Sequence, residues 1–172
     1  MKVQDLVKEL EEKECFKTFK DQNPDTYFSV AFLILDITNR TEQVQLDYYL
    51  PKTNKIAAFE YPFKEPKIHD NIISVSKEGQ TRPATPKQMQ KQTKKNKLDI
   101  DNLEPKCNEL IKENNSFIKP TKIIAILKDD IWNLTCMDNA LGIVRIKVFA
   151  ISEELLDFNK GGLMDFMGIK KK

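Results

Sequence analysis

Val44-Gln45-Leu46-Asp47-Tyr48-Tyr49-Leu50, a polar turn at 51–55 and then residues 56–59 are echoed about one hundred residues later. The echo is Val144-Arg145-Ile146-Lys147-Val148-Phe149-Ala150, a second polar turn and residues 155–158. In the first copy Val44, Leu46 and Tyr48 alternate with Gln45, Asp47 and Tyr49, the period-two pattern of a half-exposed antiparallel strand. Upstream of each copy lies an apolar run, 30–35 and 123–127, closed by Asp36 in one case and by Asp129 and Asp130 in the other. Each run is preceded by a stretch with helical periodicity. The pattern predicts an α+β fold made of two repeated units, each a helix followed by three antiparallel strands (α-β-β-β). The units span 1–61 and 98–160, with a connector over 62–97 and a tail over 161–172. Their sheets are expected to pack side by side or to share an edge.

Leu6, Val7, Leu10, Phe16 and Phe19 are read as one face of a single helix over 3–20, stopped by Asn23-Pro24-Asp25. Apolar residues do not alternate over 28–37, which predicts a strand buried on both faces. A second helix follows from Leu103, Cys107, Leu110 and Ile111, spaced i, i+4, i+7 and i+8, with Asp101 and Glu104 at capping-box spacing and Pro105 in its first turn. Strands are expected at 123–127, 131–136 and 143–151, with Leu155-Leu156 closing the unit.

The connector has a different character. Pro62, Pro66, Pro83 and Pro86 punctuate it around one short strand at 72–75, and His69-Asp70 falls in a proline-rich loop. Between 77 and 97 stand Lys77, Arg82, Lys87, Lys91, Lys94, Lys95 and Lys97 against Glu78 alone. Two readings of this run stay open: a solvated basic linker, or a phosphate-neutralising segment acting with Lys170, Lys171 and Lys172. It has no aromatic residue on which a base would stack. Tyr48, Tyr49, Phe59 and Tyr61 are read either as a ring cluster offered to a partner or as core packing. After Gly161-Gly162, taken as a hinge, Leu163, Met164, Phe166 and Met167 form an apolar segment that folds back or docks into a partner.

Composition narrows the chemistry. With 40% hydrophobic and 31% charged residues and a formal net charge of +2, the 172-residue chain has the make-up of a folded soluble protein without polyelectrolyte bias. No apolar run approaches the roughly 20 residues needed to cross a bilayer, so no membrane insertion is expected. The N-terminal segment lacks a signal-peptide core, which predicts a cytoplasmic protein. Cys15, Cys107 and Cys136 are widely spaced and form no CxxC pair, so they are read as reduced, buried thiols and no metal site is expected. One histidine, no Gly-x-Ser-x-Gly and no phosphate-cradling glycine loop leave no catalytic set; no enzyme activity and no cofactor are expected.

The second half, with Trp132-Asn133-Leu134-Thr135 and the hairpin over 144–156, resembles a PepSY-type domain. Ser152-Glu153-Glu154-Leu155 takes the place of the family's Thr-Gly-Glu-Val-like turn, and Lys52-Thr53-Asn54-Lys55-Ile56 is the fainter counterpart in the first half. Neither turn carries the family's glycine. The resemblance implies a non-catalytic binding or inhibitory module and transfers no functional residue. The expected function is therefore a non-enzymatic binding module, its protein or peptide partner engaged through a sheet surface or edge. The alternatives are an RNA- or ribosome-associated protein held through the lysine-rich segments, and a peptidase inhibitor.

Overall fold

The computed structural model joins eight strands of the described residues into one antiparallel sheet. The structure describes residues 1–71, 91–92 and 95–162. In chain order the elements are α1 (Val3–Glu12), α2 (Glu14–Gln22), β1 (Tyr27–Asp36), β2 (Thr41–Leu50), β3 (Lys55–Glu60) and β4 (Lys67–Asp70). They continue with α3 (Ile100–Glu113), β5 (Lys122–Lys128), β6 (Ile131–Met137), β7 (Gly142–Phe149) and β8 (Leu155–Gly162). The sheet order is β4-β3-β2-β1-β5-β6-β7-β8. The two halves of the chain thus meet at β1 and β5, paired from Val30↔Lys128 to Asp36↔Lys122.

The α+β class and the shared sheet agree with the sequence; several details differ. The hairpins that echo each other in sequence, β2–β3 and β7–β8, do not occupy equivalent places. Counting outward from the central seam, the first is second and third, the second third and fourth. Among the described residues each half has four strands rather than three: in the first, Lys67–Asp70, expected as loop, pairs with β3 through Ile56↔His69 and its neighbours, and in the second the closing pair Leu155-Leu156 begins a full strand, β8, paired with β7. The strand expected at 72–75 lies outside the described residues. Gly161 and Gly162 are the last rungs of β8, opposite Ile143 and Gly142, rather than a hinge.

The single N-terminal helix is two. At about 100° per residue, the six steps from Leu10 to Phe16 turn the side chain by roughly 240°, so a straight helix would bury one residue and expose the other. An extended Lys13 (φ −72°, ψ 141°) breaks the helix and resets the phase. Val3, Leu6, Val7 and Leu10 of α1 and Phe16 and Phe19 of α2 then all enter the core. Asn23 ends α2 by donating from Nδ2 to the Phe19 carbonyl at 3.0 Å.

α3 begins earlier than Asp101 and Glu104 suggested. Its N-cap is Asp99, whose Oδ1 accepts the Ile100 N–H at 2.8 Å and also the Val3 N–H at 2.8 Å, so one buried carboxylate serves the starts of α3 and α1. With the helix starting at Ile100, Pro105 stands beyond the first turn, where its missing N–H leaves an intrahelical bond unmade. Trp132 is fully buried and its indole N–H donates to the Leu98 carbonyl at 2.8 Å, fixing the entry to α3 against β6.

α1, α2 and α3 share one hydrophobic core with one face of the sheet. Ala31, Leu33, Leu46, Phe59, Ile123, Ala125, Leu134 and Ile146 point into it together with the helix stripes. β1 is therefore not buried alike on both sides: Ala31, Leu33 and Leu35 face the helices, whereas Phe32 and Ile34 on the other side are half-buried.

Candidate binding surface

The sheet face turned away from the helices is set by register. Across β1, β5, β6 and β7 the rungs on this face run Ile34–Ile124–Thr135–Arg145 and Phe32–Ile126–Asn133–Lys147. Lys122 and Lys128 stand at the two ends of β5 on the same face. All four cations are exposed, while Phe32, Ile34, Ile124, Ile126, Asn133 and Thr135 are half-buried. With strands about 4.8 Å apart and about 6.8 Å between same-face residues, this makes an apolar and amide-rich floor with cations around it. Asp36 opposite Lys122 and Asp157 opposite Lys147 are the carboxylates paired with those cations across neighbouring strands.

At one end of the sheet this floor runs into a cleft of about 370 Å³ between the β1–β2 turn, the start of β5 and the β6–β7 turn. Two aspartates build its walls. Asp36 accepts the Asn39 N–H at 2.8 Å and Asn39 Nδ2 at 3.0 Å, and these bonds hold its carboxyl below the usual carboxylate range. Asp138 Oδ1 accepts the N–H groups of Gly142 at 2.7 Å and Ala140 at 2.9 Å. A Cβ at Gly142 would lie 2.8 Å from Asp138 Oδ2, so the turn needs glycine for close approach. Both carboxylates thus shape turns. A neighbouring groove of about 410 Å³ shares Asp138 and Ile143 with the cleft and is overhung by Phe117, which is 96% exposed. Leu141, at 62%, is exposed on the cleft side.

The residues singled out from sequence fare differently. Tyr49 presents no ring to a partner: it is 1% exposed, stacks edge-on against Tyr27 and donates its hydroxyl to Asn54 Oδ1 at 2.8 Å. Tyr48 and Phe59 are core residues, packed with Phe16, while Tyr61 is exposed. Lys91 and Lys95 are exposed, and Lys97 is exposed with its ammonium 2.7 Å from Glu153. Arg82, Lys87, Lys94, Leu163, Met164, Phe166, Met167, Lys170, Lys171 and Lys172 lie outside the described residues. His69 stands on β4 opposite Ile56, exposed, rather than in a loop. Among the described residues no three His, Cys, Asp or Glu side chains converge as metal ligands, and no helix is long and apolar enough to cross a membrane.

Sequence reasoning overlooked Lys122, Lys128, Arg145, Lys147 and Phe117. The signal for Arg145 and Lys147 was present in the alternation Val144-Arg145-Ile146-Lys147-Val148, which puts both cations on the face away from the core. Phe117 had no periodic context to mark it.

No family model matches the chain, and neither does any curated protein. Among solved structures it is similar to the crystal structure of a "putative lipoprotein" from Clostridium difficile 630. Identity is 15% and the TM-score 0.42, with 88% of this chain and 98% of that chain covered.

Proposed function

We propose that the chain is a non-enzymatic binding module that docks a polypeptide partner on the outer face of β1 and β5–β7. The observation that carries this reading is the exposure of Lys122, Lys128, Arg145 and Lys147 around half-buried Ile124 and Ile126, on the face opposite the helices. An acidic segment with apolar side chains fits such a surface: isoleucines receive the apolar groups, and the surrounding cations steer and orient the acidic ones. Phe117 and Leu141 extend the apolar contact around the sheet end. The two-unit reading belongs to the same proposal. It is supported by the way each half supplies helix and then four strands laid outward from the β1–β5 seam, with β1–β4 equivalent to β5–β8. In that form each half is a PepSY-like unit with an added edge strand.

RNA is the second reading, favoured by the same four cations together with exposed Lys91 and Lys95. Against it stands the floor between the cations, isoleucine, asparagine and threonine, which gives bases little to stack on. The deciding experiment is affinity capture from native lysate, with and without nuclease, comparing wild type with an Arg145→Glu/Lys147→Glu variant. A protein retained by wild type after nuclease treatment and lost from the variant supports the polypeptide reading. Recovery only of nuclease-sensitive material supports RNA, and identical recovery by the variant refutes both.

A further inference from the structure

The outer face of the sheet carries opposite charges on its two flanks, and strand register sets them at the same height. One rung crosses six strands as Glu60–Gln45–Phe32–Ile126–Asn133–Lys147, with an acid at one end, a cation at the other and an apolar pair in the middle. The next rung on this face centres on Ile34 and Ile124, and the one after it on Asp36 and Lys122. Glu60, Lys122 and Lys147 are exposed, and the four apolar residues between them are half-buried. Towards its other end the face is closed within the chain, where Val30, Tyr49 and Ile56 are at most 8% exposed. We infer, on the basis of the docking function proposed above, that the partner on this face is a second copy of the chain, packed face to face about a two-fold axis.

The axis runs along the strands, above the β1–β5 seam. Rotation about it keeps every residue at its height and exchanges β1 with β5, β2 with β6 and β3 with β7. Phe32 then meets Ile126 of the second copy, and Ile34 meets Ile124. Gln45 meets Asn133, two side-chain amides that can exchange hydrogen bonds. Asp36 meets Lys122 and Glu60 meets Lys147, so the charges oppose in sign, and each contact occurs twice. An axis across the strands would instead lay β7 on β7, with Arg145 and Lys147 among their own copies, which like-charge repulsion opposes. The twist of the two sheets turns one on the other by about 30° at a spacing of about 10 Å, a gap that glutamate and lysine side chains reach across. Within its own chain Glu60 is 2.8 Å from Lys67, and Lys147 stands opposite Asp157. The flanks therefore supply orientation, and the apolar centre supplies attraction. Three rungs over six strands give each copy roughly 600 Å² of contact, or about 1,200 Å² for the pair, at the lower limit of stable interfaces.

The test is sedimentation velocity on the full-length chain from about 1 to about 300 μM. Wild type should pass from monomer to dimer with a Kd on the order of micromolar, as a small interface without a deep pocket implies. Glu60→Lys and Lys147→Glu should each weaken the dimer at least about tenfold, because each sets like charges against one another at two symmetric places. The double exchange Glu60→Lys/Lys147→Glu should return the Kd to within about threefold of wild type. Both positions are exposed, and circular dichroism checks that each variant is folded. Wild type that stays monomeric at the highest concentration, single variants that dimerise as well as wild type, or a double exchange no better than the singles would each overturn the assignment of a second copy. The docking surface itself outlives that result if affinity capture still returns a protein that the Arg145→Glu/Lys147→Glu variant loses. Identical capture by that variant removes the surface as well.

Discussion

Replacing Asp99 by alanine should remove more stability than any other single carboxylate change in the described chain. Its Oδ1 accepts two backbone N–H groups, from Val3 and Ile100, both at 2.8 Å and both buried. Loss of an N-cap costs about 1 kcal/mol, and a second buried N–H left without its acceptor costs about 1–3 kcal/mol. Burial opposes these bonds, since it raises the Asp99 carboxyl above the ordinary range, so the lower part of the sum applies, about 2–3 kcal/mol. For a chain of this length that is a Tm drop of about 4–12 °C. Urea unfolding followed by circular dichroism gives the free energy directly, with Asp101→Asn as a control at an exposed neighbour. The sign of the pH dependence is fixed too. A carboxyl whose folded pKa is raised holds its proton in the fold where the unfolded chain has lost it. The stability advantage of wild type over Asp99→Asn should therefore shrink as pH rises from the ordinary carboxylate range through the folded pKa, then stay level. A change below about 0.5 kcal/mol for Asp99→Ala would refute the account of one carboxylate serving two helix starts.

Pro105→Ala should stabilise the protein by about 1–3 kcal/mol, since it restores an N–H inside α3; unchanged urea midpoints would mean the helix already accommodates the ring. Gly142→Ala should cost about 1–2 kcal/mol, because the new Cβ displaces Asp138 from the two N–H groups it accepts, and amide exchange at Ala140 and Gly142 should quicken. Glu153→Gly should raise the Tm by about 2–4 °C, because Glu153 has φ 63°, which glycine adopts without strain; a fall would show that the Lys97 pair outweighs the backbone. Asp36 has its carboxyl held low by Asn39, so its share of stability should be present above the unfolded carboxylate pKa and vanish as pH falls through the folded one. The difference between wild type and Asp36→Ala in pH-dependent melts reads that share.

The strands were written plainly in the sequence wherever alternation ran for five residues or more, as in β2, β6 and β7. The short β4 was not: Lys67-Ile68-His69-Asp70 is wholly exposed and flanked by proline, and only pairing with β3 makes it a strand. The break at Lys13 was readable from the phase of Leu10 against Phe16, but charged residues on both sides masked it. The absent turn glycines have a physical answer in the fold, since Asn54 (φ 51°) and Glu153 (φ 63°) take left-handed conformations at those two turns. The candidate surface was half legible. Period-two spacing in 144–148 carried the signal for Arg145 and Lys147, which the sequence reading passed over, whereas the joining of β1 to β5, which assembles the apolar floor, depends on a pairing between distant segments that no local pattern encodes. Tyr49 misled because alternation put it on the solvent side, where Tyr27, Asn54 and Ile56 nonetheless enclose it.

The seam between β1 and β5 sets a timetable for biosynthesis. β1 emerges from the ribosome about ninety residues before its partner, and until then Tyr27–Asp36, one of the most apolar stretches in the protein, is a bare edge. At ordinary translation speeds of roughly 5–20 residues per second that interval lasts about 5–20 s, long compared with hairpin formation. A chain halted before β5 would carry a sticky margin at the middle of its future sheet, so truncation products should clump or recruit chaperones far more readily than the finished molecule.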